Sequence, residues 1–272
     1  MFVIFWPKNP FYTAIFASLF HIGTFLSSLL MLEHKPLISI ITVVYNGGKS
    51  LEKAVLSVAT QAYQPIEYIV VDGGSSDNTL DIINKHKQHI SRWISEKDNG
   101  IADAMNKGIG MATGDLIGFL NADDWLEEGA IEKVAAAYAE NTVLYGDVRF
   151  WEKSIQTKIT KSNHLRLRQG MTIAHPAAYV PLKVYKTQGL FNTDFKVAFD
   201  YDFILRIYMA GVPFKNINSV LVNMSLGGLS DNQWLLAIRE ELISKNRYFN
   251  RVTNLYFFLK QFVYLFLEKL MR

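Results

Sequence analysis

An apolar, glycine-containing run, Leu116-Ile117-Gly118-Phe119-Leu120, leads straight into Asn121-Ala122-Asp123-Asp124. A run that short and that uniformly apolar reads as a strand buried on both faces, which a helix-covered α/β sheet provides. Open sheets of that kind present ligands beyond the carboxyl ends of their strands, and the two acids fall at such an end. Adjacent carboxylates there repel one another and lose hydration, so something cationic should sit between them and a ligand. A divalent ion bridging them to a diphosphate meets that need, because Mg²⁺ takes one or two carboxylates together with phosphate oxygens. The competing reading is that Asp123 and Asp124 cap a helix beginning near Leu126.

The surrounding pattern supports the sheet. Leu37–Val44 is a β-branched strand that Gly47-Gly48 separates from a helix over Ser50–Gln61. Ile66–Val71 is a second buried strand, and the Ser and Asp residues of Asp72-Gly73-Gly74-Ser75-Ser76-Asp77-Asn78 offer caps for a helix over Thr79–His86. A short strand near Trp93-Ile94 precedes a helix ending about Met111, and the 116–120 strand follows. Strands alternating with helices of this length predict βαβ units and a mostly parallel sheet flanked by helices. Beyond Asp124 the pattern is mixed. Helices are expected over Glu127–Ala139, Tyr201–Ala210 and Gln233–Arg247, and strands over Val143–Phe150, Ile155–Thr160, Ala174–Val180 and Phe214–Val222. No linker or repeat divides 37–250, which reads as one domain.

At 272 residues, half of them hydrophobic, the chain is long enough for a large α/β core. A net charge of +3 is too small to argue for a nucleic-acid partner. The absence of cysteine excludes disulfides and thiolate metal sites. Both ends are hydrophobic. Residues 11–32 carry no formal charge, and a helix of that length, roughly 33 Å, would cross a bilayer core of about 30 Å. Residues 1–36 are thus a membrane helix, a signal-like segment, a buried helix, or an extension ahead of a true start at Met31. Residues 251–272 form an amphipathic pattern in which Asn254, Gln261 and Glu268 make one narrow polar stripe. The rest is apolar and aromatic with Lys260, Lys269 and Arg272 at its margins, as in a helix lying on a membrane or packed in a protein interface.

Several residues could carry chemistry. Asp72 ends a strand where a carboxylate can meet a base or ribose, and Gly73-Gly74 lets backbone approach that ligand, although Asp-Gly is also an ordinary turn. Tyr45-Asn46 leaves the first strand at the same edge, where a ring can stack on a base or simply pack. Asp200 and Asp202, in Phe199-Asp200-Tyr201-Asp202, are either helix caps or include a general base for a substrate hydroxyl. His175-Pro176 and Gly227-Gly228-Leu229-Ser230 could line a pocket. Lys158, Lys161, Arg166 and Arg168 form a basic run that is a solvated face or a phosphate contact. Gly108-Ile109-Gly110-Met111-Ala112-Thr113-Gly114 has neither the spacing nor the strand-to-helix placement of a dinucleotide fingerprint, and no triphosphate loop is present.

Four ordered motifs make the combination recognisable: Ser39–Asn46, Val70–Thr79, Glu96–Gly108, and Gly114-Asp115 through Asn121-Ala122-Asp123-Asp124. Together they resemble family 2 glycosyltransferases of the GT-A fold, especially those of bacterial polysaccharide and O-antigen synthesis, over about residues 37–230. The resemblance implies a nucleotide-sugar donor, usually UDP-linked, and Mg²⁺ or Mn²⁺. It implies that Tyr45 and Asp72 hold the nucleoside with Asp98 and Asp103 nearby, that Asp123 and Asp124 hold the metal, and that Asp200 is the catalytic base of an inverting transfer. Two positions depart from the family pattern: Asn121 stands where the metal motif has its first Asp, and Phe199 where a Glu often precedes the base. The hydrophobic ends fit a glycan or polyprenyl-diphosphate-linked acceptor at a membrane surface, with the catalytic domain facing the cytoplasm. A nucleotidyltransferase and a catalytically inactive nucleotide-sugar-binding membrane protein are the other readings.

Overall fold

The structure is a computed structural model that describes residues 35–152, 154–227 and 233–271, with side chains to residue 267. The N-terminal segment 1–34 and residues 228–232, which take in Gly228-Leu229-Ser230 of the candidate loop, lie outside the described residues. Pro36–Arg272 forms a unit of its own.

In chain order the described elements are β1 Ile38–Val44, α1 Leu51–Ala59, β2 Ile66–Asp72, α2 Thr79–Lys85, β3 Arg92–Ser95 and α3 Ile101–Met111. These lead to β4 Leu116–Phe119, β5 Trp125–Leu126, α4 Ala130–Ala136, β6 Val143–Glu152, β7 Ile155–Thr160 and β8 Ala178–Pro181. The chain continues through α5 Leu182–Gln188, α6 Phe199–Met209, β9 Phe214–Ser225, α7 Trp234–Lys245 and α8 Arg251–Met271. The sheet runs β3-β2-β1-β4-β8-β6-β9-β5, with β7 paired to β6.

Period-two burial makes the layers. In β1, Ile38 and Ile40 face a core built with α1, α2 and α4, while Ile41 faces a second core built with α3 and α6. Tyr68 and Val70 of β2 join the first core, and Ile69 and Val71 the second. Gly108 of α3 is explained by this stacking, because a methyl group there would lie 2.5 Å from Ile41 Cγ2. That glycine lets the helix sit directly on the sheet. Gly118 does the same for Tyr179, whose ring covers it from the neighbouring strand.

The expectation of a mostly parallel sheet is corrected. Pairs β1–β2, β1–β4, β2–β3 and β6–β9 are parallel, whereas β4–β8, β6–β8, β6–β7 and β5–β9 are antiparallel. The sheet is mixed because β8 is inserted antiparallel beside β4. A short strand buried on both faces has the same composition in either direction, so sequence does not reveal this. The expectation of hydrophobic helices at both termini is not supported either. Its first part lies outside the described residues, and among these no helix is long and apolar enough to cross a membrane.

The parallel half carries the geometry that matters. Strand order reverses between β2-β1 and β4, which opens a crevice at the carboxyl ends of β1, β2 and β4. Registers Val44↔Asp72, Asp72↔Ser95 and Ile41↔Phe119 bring the loops after β1, β2, β3 and β4 out at that common edge.

Candidate active site

Backbone and short polar side chains build the edge from the first two loops. Asn46, at φ 50°, donates its N–H to Ser75 Oγ (2.7 Å), and Asn46 Oδ1 accepts from the Ser76 N–H (2.9 Å). The N–H groups of Gly47 and Gly48 donate to Thr79 Oγ1 and Asp77 Oδ2, each at 3.1 Å. Ser75, Asp77 and Thr79 therefore stitch the β2 loop to the β1 loop. The sequence pattern offers the Ser and Asp of this loop as helix caps and does not register the cross-link.

Asp72 is fully buried, and its carboxylate accepts from the Gly74 and Ser75 N–H groups and from the hydroxyls of Ser75 and Ser95 (2.6 Å for Ser95). Its oxygens are taken up in shaping the loop. Gly73, the next residue, is where the ligand side opens. A methyl group built there would collide with the Asp98 carboxylate and lie 3.5 Å from the Tyr45 ring. Tyr45, Gly73 and Asp98 are thus gathered around one spot, with Tyr45 67 % exposed and its ring free to stack. Asp98 Oδ1 accepts from the Gly100 N–H (2.9 Å), and Asp103 Oδ2 accepts from the Asn99 N–H (3.0 Å). Asp103 therefore holds the loop that carries Asp98.

The β4–β5 turn separates the two adjacent acids. Asp123 is exposed, whereas Asp124 is 1 % exposed. Asp124 Oδ2 accepts from Asn121 Nδ2 (2.8 Å), and its Oδ1 accepts from the Ser225 N–H (3.1 Å). Ser225 Oγ also donates to the Asp123 carbonyl (2.8 Å), so the last residue of β9 pins the whole turn. Burial, and then the Asp123 charge, push the Asp124 carboxyl up to about 7, and no cation among the described residues offsets them. The open carboxylate is Asp123's, and a buried one waits behind it.

Among the described residues no cluster of three or more His, Cys, Asp or Glu side chains is arranged to hold a metal. The residues nevertheless fit a divalent ion that takes its remaining ligands elsewhere: one open carboxylate, backed by an acid whose ionised form lacks a positive partner.

Asp200 is the second residue of α6 and is half-buried. Burial, together with the charges of Glu241 and Glu240, pushes its carboxyl up to about 7. An aromatic chain connects it to the β4 edge: the Phe191 ring lies 5.6 Å from Phe119 and 5.6 Å from Phe199, centroid to centroid. Asn106 clamps Phe191, donating to its carbonyl and accepting from its N–H. Phe199, 5 % exposed, is accordingly a core residue.

The other candidates are engaged structurally. Asp202 is buried, accepting from Ser244 Oγ (2.8 Å) and pairing with Arg247 (2.7 Å). His175 stacks on Phe119 at 4.9 Å, and burial pushes its imidazole down to about 4, which keeps it neutral. Lys161 pairs with the buried Asp147, and Arg168 lies over the Phe249 ring.

A mixed α/β sheet with a switch-point crevice, an acidic turn at its central strand end and a half-buried acid across the aromatic cluster is the layout of a nucleotide-sugar transferase of the GT-A type. Comparison with known proteins agrees. The model of "Glycosyl transferase family 2" matches residues 39–205, more than half of the chain, and the chain belongs to that family of glycosyltransferases. It is 30% identical to the chondroitin synthase of Escherichia coli over 222 residues, covering 77% of this chain and 32% of that protein. It is 34% identical to a PGL/p-HBAD biosynthesis glycosyltransferase of Mycobacterium bovis over 181 residues, covering 64% of this chain and 70% of the relative. The chain thus spans about a third of the first relative's length and more than two thirds of the second's. The fold is shared with S. aureus TarS 1-349, solved in complex with UDP-GlcNAc, at TM-score 0.63 and 17% identity over 83% of this chain and 71% of that one. It is also shared with a mannosyltransferase of Pyrobaculum calidifontis, solved with GDP-Man and Mn²⁺, at TM-score 0.61 and 17% identity over 86% and 70%.

Proposed function

We propose that this glycosyltransferase moves a sugar, with inversion, from a nucleotide-diphosphate donor, UDP-linked by preference, to a hydroxyl of a glycan or lipid-linked acceptor in surface polysaccharide synthesis. The observation that carries the reading is the division of labour between two acids, Asp123 and Asp200. Asp123 opens on the turn after β4, whose Ala122 lies against Gly47 of the β1 loop, and Asp200 lies across the Phe119–Phe191–Phe199 chain. The donor complexes of TarS and of the mannosyltransferase support a nucleotide sugar, and the Mn²⁺ complex supports a divalent ion.

In this reading the Tyr45 ring stacks on the base, Asp98 receives hydrogen bonds from the nucleoside, and Asp72 and Asp103 shape the loops around it. Asp123, with Asp124 and Asn121 behind it, would hold Mg²⁺ or Mn²⁺, which supplies positive charge for the leaving diphosphate. Asp200 takes the proton of the acceptor hydroxyl as that oxygen bonds to the anomeric carbon. The anomeric C–O bond to the diphosphate breaks, and its electron pair leaves with the nucleotide. A carboxyl titrating near 7 is a far better base than an ordinary Asp.

The C-terminal helices support a membrane surface as partner. Asn254, the first residue of the polar stripe of α8, is fully buried and donates to Asn246 Oδ1 (2.9 Å), so the stripe starts inward. Val252, Tyr256, Leu259, Val263, Tyr264 and Phe266 are left exposed. A helix that turns its polar side to its own protein and its aromatic side outward suits a lipid interface. We accordingly take 37–250 as the catalytic domain and 251–272 as a membrane-seeking helix on the cytoplasmic face, where nucleotide sugars are made.

The test is calorimetric titration of UDP-, GDP-, dTDP- and CMP-linked sugars with and without Mn²⁺. Metal-dependent binding of one of them, followed by nucleotide release, is the expected result. Failure of every donor to bind folded protein in the presence of Mn²⁺ would overturn the proposal.

A further inference from the structure

The segment leading into α6 is gripped from outside. Three consecutive N–H groups, those of Lys196 (2.9 Å), Val197 (2.9 Å) and Ala198 (2.8 Å), all donate to the carboxylate of Glu240. Such a run of N–H groups is an anion-binding concavity, and here a side chain from α7 fills it. Glu240 is itself buried, at 6 % exposure, and among the described residues it takes part in no ion pair. Its neighbour Glu241, by contrast, pairs with the buried Lys245 (3.0 Å). Charge-assisted bonds to backbone are stronger than neutral ones, so this one side chain fixes the residues immediately before Phe199 and Asp200.

We infer that Glu240 is a positioning residue for Asp200: its carboxylate sets the backbone from which Asp200 projects and keeps a fixed negative charge behind it. The inference rests on the reading of Asp200 as the base.

The charged groups around the first turn of α6 are few. Glu240, Glu241, Lys245 and Arg247 come from α7 and the turn after it, Asp202 and Tyr201 from α6 itself, and Lys196 and Arg168 from the flanking loops. Asp202 is neutralised by Arg247. Lys245 is taken up by Glu241 and by the Gln169 carbonyl, and it lies over the Tyr201 ring. Lys196 Nζ donates to the Thr193 carbonyl, and Arg168 lies over Phe249. Glu240 is thus the anion left without a cation, and its charge acts with that of Glu241 to hold the proton on Asp200. Removing it favours the ionised carboxylate, so a base-dependent rate should survive to lower pH.

The experiment uses the full chain, Mn²⁺, and whichever nucleotide sugar of the donor panel the wild-type protein cleaves, with nucleotide release as the readout. Glu240→Gln, checked for folding by thermal melting, should lower kcat about tenfold while donor KM moves less than about twofold. The acidic limb of kcat against pH should shift to lower pH. A merely structural glutamate would lower the melting temperature and leave that limb in place. Wild-type kcat with an unmoved limb in folded E240Q overturns the inference. If E240Q does not fold, Glu240→Asp serves: its shorter arm cannot reach all three N–H groups, so kcat should fall with the limb held, and undiminished kcat overturns the inference. Asp200→Asn separates the two proposals. Full activity in D200N removes the base reading itself, whereas an inactive D200N beside an unaltered E240Q removes only the role of Glu240.

Discussion

Asp124→Asn tests the electrostatics of the acidic turn directly. In the folded protein the Asp124 carboxyl titrates near 7, against 3.8 for the ordinary group. The folded state therefore keeps this proton after the unfolded chain has lost it, and stability drains away as pH rises from about 4 to about 7. A difference of about 3 pKa units corresponds to roughly 4 kcal/mol at full ionisation, with about 1.5 kcal/mol already lost at pH 5. Asparagine carries no proton to lose, so its advantage over the wild type should grow by about 2.5 kcal/mol between pH 5 and pH 8. Against this stands a hydrogen bond worth about 1 kcal/mol, because one amide oxygen replaces two carboxylate oxygens bonded to Ser225 and Asn121. Net, D124N should be within about 0.5 kcal/mol of wild type at about pH 5 and stabler by about 3 kcal/mol at about pH 8. Urea unfolding in EDTA at the two pH values measures it. The raised carboxyl of Asp200 is common to both proteins and cancels in the comparison. Added Mn²⁺ and UDP should recover part of the wild-type deficit at high pH and less of it in D124N. The same stability difference at both pH values would refute the claim that Asp124 holds an uncompensated buried charge.

Asp123→Ala should abolish the Mn²⁺-dependent part of donor binding, on the order of tenfold or more by calorimetry, without lowering the melting temperature, since this side chain is exposed. Asp200→Asn should reduce nucleotide release by about 10²–10⁴-fold while donor affinity is retained, and the wild-type acidic limb should fall near the Asp200 carboxyl value of about 7. For the outward face of α8, the double substitution Tyr256→Asp and Tyr264→Asp should prevent sedimentation with anionic phospholipid vesicles and leave the melting temperature unchanged, both rings being more than half exposed.

The parallel half of the fold was legible because each of its elements carries a strong local signal. β1, β2 and β4 are apolar runs ending in polar turns, and α1 and α3 between them bury one face at a 3.6 period. β5 is two residues long and exists only through its pairing with β9, so periodicity has nothing to register. The site was legible in position and less so in orientation. A strand end fixes where Asp72 and Asp124 sit, but whether a carboxylate points outward or back into its own loop depends on donors supplied from elsewhere. For Asp72 those are Ser75 and Ser95. For Asp124 they are Asn121 and Ser225, the second lying 101 residues along the chain. Glu240 was invisible for the same reason: within α7 it reads as a surface charge, and only the fold brings it to Lys196–Ala198, 42 to 44 residues earlier.

The two departures from the family pattern become intelligible at this level. An Asp at 121 would place a third carboxylate against buried Asp124, whereas Asn121 gives that carboxylate a donor at 2.8 Å. The substitution removes repulsion at the point where burial and Asp123 already work against ionisation. At the other acid, Phe199 gives the start of α6 an apolar anchor in the Phe191 cluster, and the negative charge beside Asp200 comes instead from α7. In each case a neutral residue stands next in the scaffold to an acid that titrates near 7. Neither acid gains from further negative charge, and a cation at Asp123 would relieve the first without touching the second. On this argument donor and metal binding should lower the apparent pKa at Asp124 much more than at Asp200, leaving Asp200 poised as a base while the acidic turn ionises.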